Sequence, residues 1–209
     1  MAKVSSLARP LSSFEYRPEF HPPSLRILPR GAITEVLGEP STGRTAFAHS
    51  LLATATKGGE IAAFIDCTDA FDPASSRRAG TDLGKLLWVQ CGHRLESALK
   101  AADLILHSGG FGLIILDLCD APPTALQRVP TSYWYRFQRA VENTPTIFLI
   151  LARQSVARSS AARQLSLQQQ RLRWRGHPPF QTIERLELEA ISRKPVHLSP
   201  VRLEALMEV

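Results

Sequence analysis

Eight residues, Gly38-Glu39-Pro40-Ser41-Thr42-Gly43-Arg44-Thr45, restrict what this chain can fold into more than any other stretch. They follow an apolar run at 33–37 that reads as a strand and lead into 44–56, whose pattern predicts a helix. Their spacing is G-x-x-x-x-G-K-[ST] with arginine at the lysine position. A strand feeding a glycine-containing turn and then a helix aims successive backbone N–H groups at one spot, where the helix dipole favours an anion. The eight residues are therefore a candidate, degenerate nucleotide-binding loop, with Thr45 offering a hydroxyl to Mg²⁺ if nucleotide binds. Arg44 keeps the charge, but its planar guanidinium cannot sit between two phosphates as a compact ammonium does. The substitution spares binding more than fast chemistry.

The pattern after the loop alternates. Strands are expected at 61–65, 86–89, 113–118 and 146–151, with helices at 95–107 and 133–142 and a link rich in Asp, Ser and Arg after the first of these strands. Strands alternating with helices imply a parallel sheet, whose central strands are covered on both faces and read as unbroken apolar runs. Leu113-Ile114-Ile115-Leu116 fits, and it ends in Asp117, a carboxylate placed as in phosphate-loop proteins to order water on a metal. Thereafter a polar helix is expected at 161–170, then period-two alternation over 183–191, suggesting antiparallel strands at the sheet edge. The fold class is α/β: a mostly parallel central sheet, helices on both faces and antiparallel edge strands at the C-terminal end.

Pro10, Pro18, Pro22, Pro23 and Pro29 exclude a useful helix or central strand in residues 1–30, which read as an extended arm carrying Phe14, Tyr16 and Phe20; residues 31–209 form the core domain. The chain holds 25 Lys+Arg against 19 Asp+Glu, and the excess is concentrated in one place. Arg153, Arg158, Arg163, Arg171, Arg173 and Arg175 follow one another with no acidic residue between them, beside Trp174. Such a segment suits contacts with DNA phosphates or an acidic partner; the alternative is a solvated face paired with Glu184, Glu187 and Glu189. Tyr133, Trp134, Tyr135 and Phe137 read first as core. Cys67, Cys91 and Cys119 lack metal or disulfide spacing and read as buried thiols of a cytoplasmic protein, the histidines show no metal-ligand spacing, and no apolar stretch is long enough for a membrane span.

Residues 31–117 resemble the ATPase core of the RecA recombinases. The matches are Gly38 to Thr45, the segment Phe64-Ile65-Asp66-Cys67-Thr68-Asp69-Ala70-Phe71-Asp72-Pro73 against an approximate F-I-D-A-E-x-A-x-D-P, and the strand ending at Asp117. The resemblance extends loosely to about residue 195. It implies a RecA-like P-loop fold, and it implies losses. The glutamate that activates water in RecA-like ATPases is Thr68 here, a change worth about 10²–10⁴ in rate because threonine is no general base near neutral pH. Asp69 is one residue out of phase. The γ-phosphate-sensing glutamine aligns with Arg153, and the DNA-gripping loop is cut down to a few residues around Ser155 to Ser160.

A small, eroded RecA-like chain is similar to the ImuA-type accessory proteins. That resemblance implies a role in damage-induced translesion synthesis, with no catalytic residue and no required cofactor, and with at most weak ATP and Mg²⁺ binding. It implies as partners an ImuB-like homologue of Y-family polymerases and an error-prone replicative polymerase, with single-stranded DNA and RecA as further candidates and no membrane. Two alternatives are a slow RecA-class DNA-dependent ATPase, using Arg44 to bind and Asp69 or a partner's residue to activate water, and a cell-division inhibitor of the SulA type.

Overall fold

The computed structural model describes residues 28–178, 182–195 and 200–206. The expected arm thus lies almost wholly outside the described residues. Its end belongs to the body: Leu28 is buried in the core, and Arg30 bonds to Glu60 (2.6 Å) and to the Pro145 carbonyl (2.6 Å).

The chain runs β1 (Ala32–Leu37), α1 (Arg44–Lys57), β2 (Ala62–Asp66), α2 (Pro73–Arg78), β3 (Leu86–Gln90), α3 (Leu95–Ser108), β4 (Leu113–Asp117), α4 (Pro123–Gln127), α5 (Thr131–Val141), β5 (Ile147–Ala152), β6 (Ala161–Arg175), β7 (Thr182–Lys194) and β8 (Val201–Leu206). These eight strands form one sheet in the order β3-β2-β4-β5-β1-β6-β7-β8. Every pairing from β3 across to β6 is parallel, while β7 and β8 are added antiparallel. The α/β class, the parallel centre and the antiparallel C-terminal edge are as expected.

Strand periodicity divides the core into two layers. Leu113 and Ile115 of β4 join Phe47, Leu51 and Leu52 of α1 on one face, whereas Ile114 and Leu116 join Leu99 and Leu106 of α3 and Trp134 and Phe137 of α5 on the other. Trp134 and Phe137 are therefore core, as expected, while Tyr135 is exposed. All three cysteines are free and buried. No described helix is long and apolar enough to cross a membrane.

One expected element is wrong. The polar helix at 161–170 is the first two-thirds of β6, which pairs parallel with β1 as far as Ser166 and antiparallel with β7 along its length. Leu165 and Leu167 alternate onto the α1 face of the core, and burying both in one sheet outweighs the helix propensity of the surrounding Ala, Arg and Gln. The link after β2 is also more ordered than expected. It contains α2, whose first turn is built by Asp72 as N-cap, accepting from Ala74 N (3.0 Å) and Ser75 N (3.0 Å), with Pro73 behind it.

Helix α1 is buried around most of its circumference because α2 and β8 also touch it. This confines His49, whose ring stands edge-on to Phe71 at 5.3 Å and whose Nε2 has no hydrogen-bond partner. Burial pushes the His49 pKa down from 6.5 to about 4, with Asp72 opposing the shift. A depressed histidine pKa means the folded state binds fewer protons than the unfolded state. The associated stability is complete above the unfolded value and is lost as pH falls from 6.5 towards 4. About 2 kcal/mol should disappear between pH 7 and pH 5 from this group alone. Urea unfolding of wild type and His49→Leu at both pH values checks this; equal pH dependence in the two proteins would refute it.

Candidate functional site

The candidate loop leaves β1, a central strand between β5 and β6, at the carboxyl edge of the sheet, where open α/β sheets bind ligands. Thr42 braces the turn by donating both its N–H (3.3 Å) and its hydroxyl (2.8 Å) to the Glu39 carbonyl. Ser41 and Gly43 take positive φ, 64° and 87°, so the backbone curls around its own N–H groups. Gly43 caps α1 with no side-chain bond to the helix, and the first turn holds no acidic residue, so the helix end keeps its unpaired N–H groups and partial positive charge. Glycine is required at 43 on two counts. Besides the positive φ, a Cβ there would stand 2.5 Å from Leu188 Cδ2 and 3.1 Å from Leu186 Cδ2, because β7 supports the loop. Pro40 and Thr45 are, respectively, in the exposed turn and on the exposed side of α1.

Arg44 is the unusual member. It is only 9% exposed, its stem folds back so that Cδ lies 3.6 Å from where a Cβ on Gly38 would stand, and its Nη1 is buried with no hydrogen-bond partner. Its charge is felt at Asp117, the carboxylate ending β4, which accepts the Cys119 N–H at 2.9 Å. Burial pushes the Asp117 pKa up; the Cys119 N–H and the Arg44 guanidinium act in the other direction, and neighbouring Asp66 reinforces the rise. Unpaired helix-end N–H groups and an unpartnered buried guanidinium fit a phosphate group.

The segment 64–73, singled out for its chemistry, holds the fold together. Asp66, fully buried at the end of β2, accepts from Ala70 N (3.1 Å), Phe71 N (2.8 Å) and Trp88 Nε1 (3.3 Å). Phe71 lies against Phe64 (4.4 Å), His49 (5.3 Å) and Trp88 (5.5 Å). Thr68 is half-buried past the strand end. Asp69 has a positive φ of 55° and accepts the Gly92 N–H at 3.2 Å. Gly92 follows β3, at the opposite side of β2 from β4, β5 and β1, so Asp69 is turned away from the loop.

The arginines whose side chains are described, Arg153, Arg158, Arg163, Arg171 and Arg173, do not converge on one surface. Arg153 donates Nε to the Cys119 carbonyl (2.9 Å) and Nη2 to Asp120 Oδ1 (2.9 Å), spending its fork on the turn after β4. With Arg158 it lines a cavity of about 260 Å³ beside Glu39, floored by Leu118, Leu126 and Trp134. Arg163 is on β6 beside Thr34 of β1. Arg171 and Arg173 are exposed on the part of β6 beyond β1, next to Trp174, which is 54% exposed; Arg175 pairs through its backbone with Thr182. Part of this hairpin's charge is matched locally, since Arg173 meets Glu187 at 3.6 Å, while Glu189 accepts from the neutral Gln170 at 2.6 Å.

Sequence reasoning missed Glu35. Fully buried in the middle of β1, its carboxylate accepts four hydrogen bonds: Val156 N (2.7 Å) and Ala157 N (2.6 Å) on Oε1, Ser155 Oγ (2.8 Å) and Gln164 Nε2 (2.8 Å) on Oε2. It holds the short segment between β5 and β6, the one expected to be a reduced DNA-gripping loop, against the sheet. A lone glutamate in an apolar strand was the available signal. Among the described residues no cluster of His, Cys, Asp and Glu is placed to hold a metal.

Comparison with known proteins agrees with this architecture. Residues 24–126 match the RecA N-terminal domain. Over 90 residues, 43% of this chain, the sequence is 40% identical to Protein RecA of Bifidobacterium breve and 39% identical to Protein RecA of Thermus aquaticus, covering 23% and 26% of those proteins. Over 89 residues it is 44% identical to Protein RecA of Corynebacterium diphtheriae, covering 24% of that protein. The matched region thus spans about a quarter of the length of these relatives. The shared N-terminal sequence, together with a loop-bearing parallel sheet, supports placing the chain in the RecA-like superfamily.

Proposed function

We propose that this protein is a RecA-like accessory factor of the DNA damage response, of the ImuA type, which serves translesion synthesis by binding partner proteins and DNA and not by turning over nucleotide. The observation that carries the reading is the fate of the residues expected to do hydrolysis. Thr68 supplies no general base, Asp69 is committed to Gly92 N–H, and Arg153 is committed to Cys119 and Asp120. In this reading the loop 38–45 keeps a phosphate-sized hollow as a binding feature, without the groups that would prime water. The partners are an ImuB-like polymerase homologue and an error-prone replicative polymerase, with single-stranded DNA or RecA as further contacts.

The β6–β7 hairpin is the contact surface for DNA. Arg171 and Arg173 lie two residues apart on a strand, on one face, which suits a run of phosphates. The wild-type protein is expected to recover translesion polymerase subunits from damaged cells and to bind a single-stranded oligonucleotide with salt-dependent affinity. Arg171→Glu with Arg173→Glu should weaken oligonucleotide binding by at least about tenfold and reduce its salt slope by about two. Recovery of cell-division proteins in place of polymerases, with unchanged oligonucleotide affinity in the variant, would refute the assignment.

A further inference from the structure

We propose that the cavity beyond the ends of β4 and β5 is a docking site for an acidic segment of a partner protein, taking one aliphatic or aromatic side chain onto its apolar floor and a neighbouring carboxylate onto Arg158. This rests on the reading of the chain as a factor that works by binding proteins, and it gives one such contact a place and a chemistry.

The floor is apolar surface that the protein itself leaves uncovered. Leu118 and Trp134 are buried beneath it, whereas Leu126, Val129 and Val156 are only half-buried, and all five line the same hollow of about 260 Å³. A hollow of that size takes a side chain more readily than a whole cofactor, whose sites run to roughly 300–1,000 Å³. Trp134 lies too deep to offer a base a stacking platform, at 2% exposure with its ring edge-on to that of Phe137. An apolar side chain is the body that fits.

The rim selects for negative charge. Its charged residues are Arg153 and Arg158 against Glu39. Arg153 is fixed by the Cys119 carbonyl and by Asp120, which offsets its charge. Arg158 has no carboxylate partner among the described residues. Thr131, also on the rim, begins α5 with no side-chain cap and no acidic residue in the first turn, so the partial positive charge of the helix end adds to that of Arg158.

Arg158 is also held where it is at a cost. Its φ of 48° is a left-handed conformation that strains any residue but glycine. The chain on either side enforces it. Glu35 binds the N–H groups of Val156 and Ala157, while Ser159 is tied through its Oγ to Tyr135 Oη (3.0 Å) and through its carbonyl to Lys194 Nζ (3.2 Å). A strained, exposed cation at the mouth of an apolar hollow contributes nothing to the fold that glycine would not. Nor does it suit a polynucleotide, which needs a row of cations to follow its phosphates, where this rim has one that is not neutralised.

The test is selection of a displayed random heptapeptide library on the full chain, followed by fluorescence-anisotropy titration of the enriched peptide on wild type, Arg158→Glu, Arg158→Gly and Leu126→Asp. Enriched sequences should carry an aliphatic or aromatic residue within about two positions of Asp or Glu, and Arg158→Glu and Leu126→Asp should each weaken binding at least about tenfold. Arg158→Gly should weaken it by about threefold or more yet melt no lower than wild type, a pairing that a merely structural role would not produce. If Leu126→Asp does not fold, the two Arg158 variants decide. No enrichment, enrichment of sequences without acidic residues, or binding that both Arg158 variants leave unchanged would overturn the inference, while the partner-binding reading keeps its own test in damaged cells. A single-stranded oligonucleotide that displaces the peptide and loses about tenfold in affinity on Arg158→Glu would overturn it too, by giving the cavity to nucleic acid.

Discussion

Replacing Glu35 by alanine is expected to lower the free energy of unfolding by about 4 kcal/mol, a large fraction of the roughly 5–15 kcal/mol margin of a typical domain. The expectation follows from how many donors the one carboxylate satisfies. Two are backbone N–H groups, of Val156 and Ala157, and two are side-chain donors, Ser155 Oγ and Gln164 Nε2. The network closes on itself, since Gln164 Nε2 also donates to Ser155 Oγ at 3.0 Å. Leaving a buried donor unpaired costs about 1–3 kcal/mol, and water entering the vacated volume would recover only part of four such losses. Glu35→Gln should cost roughly half as much, because one amide oxygen still accepts while the NH₂ group faces donors. Chemical denaturation gives the magnitudes. Limited proteolysis gives the location, since in Glu35→Ala new cleavage should fall between β5 and β6. A loss below about 1 kcal/mol, or cleavage elsewhere, would show that the segment does not depend on this anchor.

The parts of the fold that could be read beforehand are those governed by neighbours in sequence. The run from β1 through the loop into α1 carries its own signals: an apolar strand, glycines where the backbone must curl, and a helix start. Likewise, β4 is fully covered on both faces and its composition says so. β6 could not be read in this way. Ala161, Ala162, Arg163, Gln164 and the glutamines at 168–170 favour a helix locally, and the strand exists because β1, 124 residues and more away in sequence, and β7 supply its hydrogen-bond partners. The alternation of Leu165 and Leu167 with polar residues was a signal of the right period, outweighed by the wrong propensity.

The site divides along the same line. Gly43 was expected as part of the phosphate loop, and the closeness of Leu186 and Leu188 to where its Cβ would stand gives a reason for glycine that only the packed sheet reveals. Asp66 and Asp72 stood out as parts of a chemical motif, yet each ties down a turn, one at the end of β2 and one at the start of α2. Arg153 was placed at a sensing position from its order in the chain; the order could not disclose that Asp120 would hold its fork. Glu35 required knowledge of donors 120 residues later. Such long-range satisfaction of a buried charge leaves only an oddity in the sequence, a carboxylate where the pattern calls for an apolar residue.

The second large effect concerns chemistry. In a RecA-like site with its glutamate in place, general-base activation of water contributes about 10²–10⁴ to the rate, and on the proposed reading Thr68 forfeits it. Asp69 cannot recover it from the far side of β2 while its carboxylate accepts the Gly92 N–H. An arginine in place of the loop lysine and a tethered Arg153 add no group that orients water. Single-turnover ATP hydrolysis, with enzyme in excess and Asp117→Ala alongside, measures the consequence most directly. A trace of phosphate release that is the same in wild type and in Asp117→Ala is the predicted result, and wild-type turnover that Asp117→Ala abolishes would contradict the account.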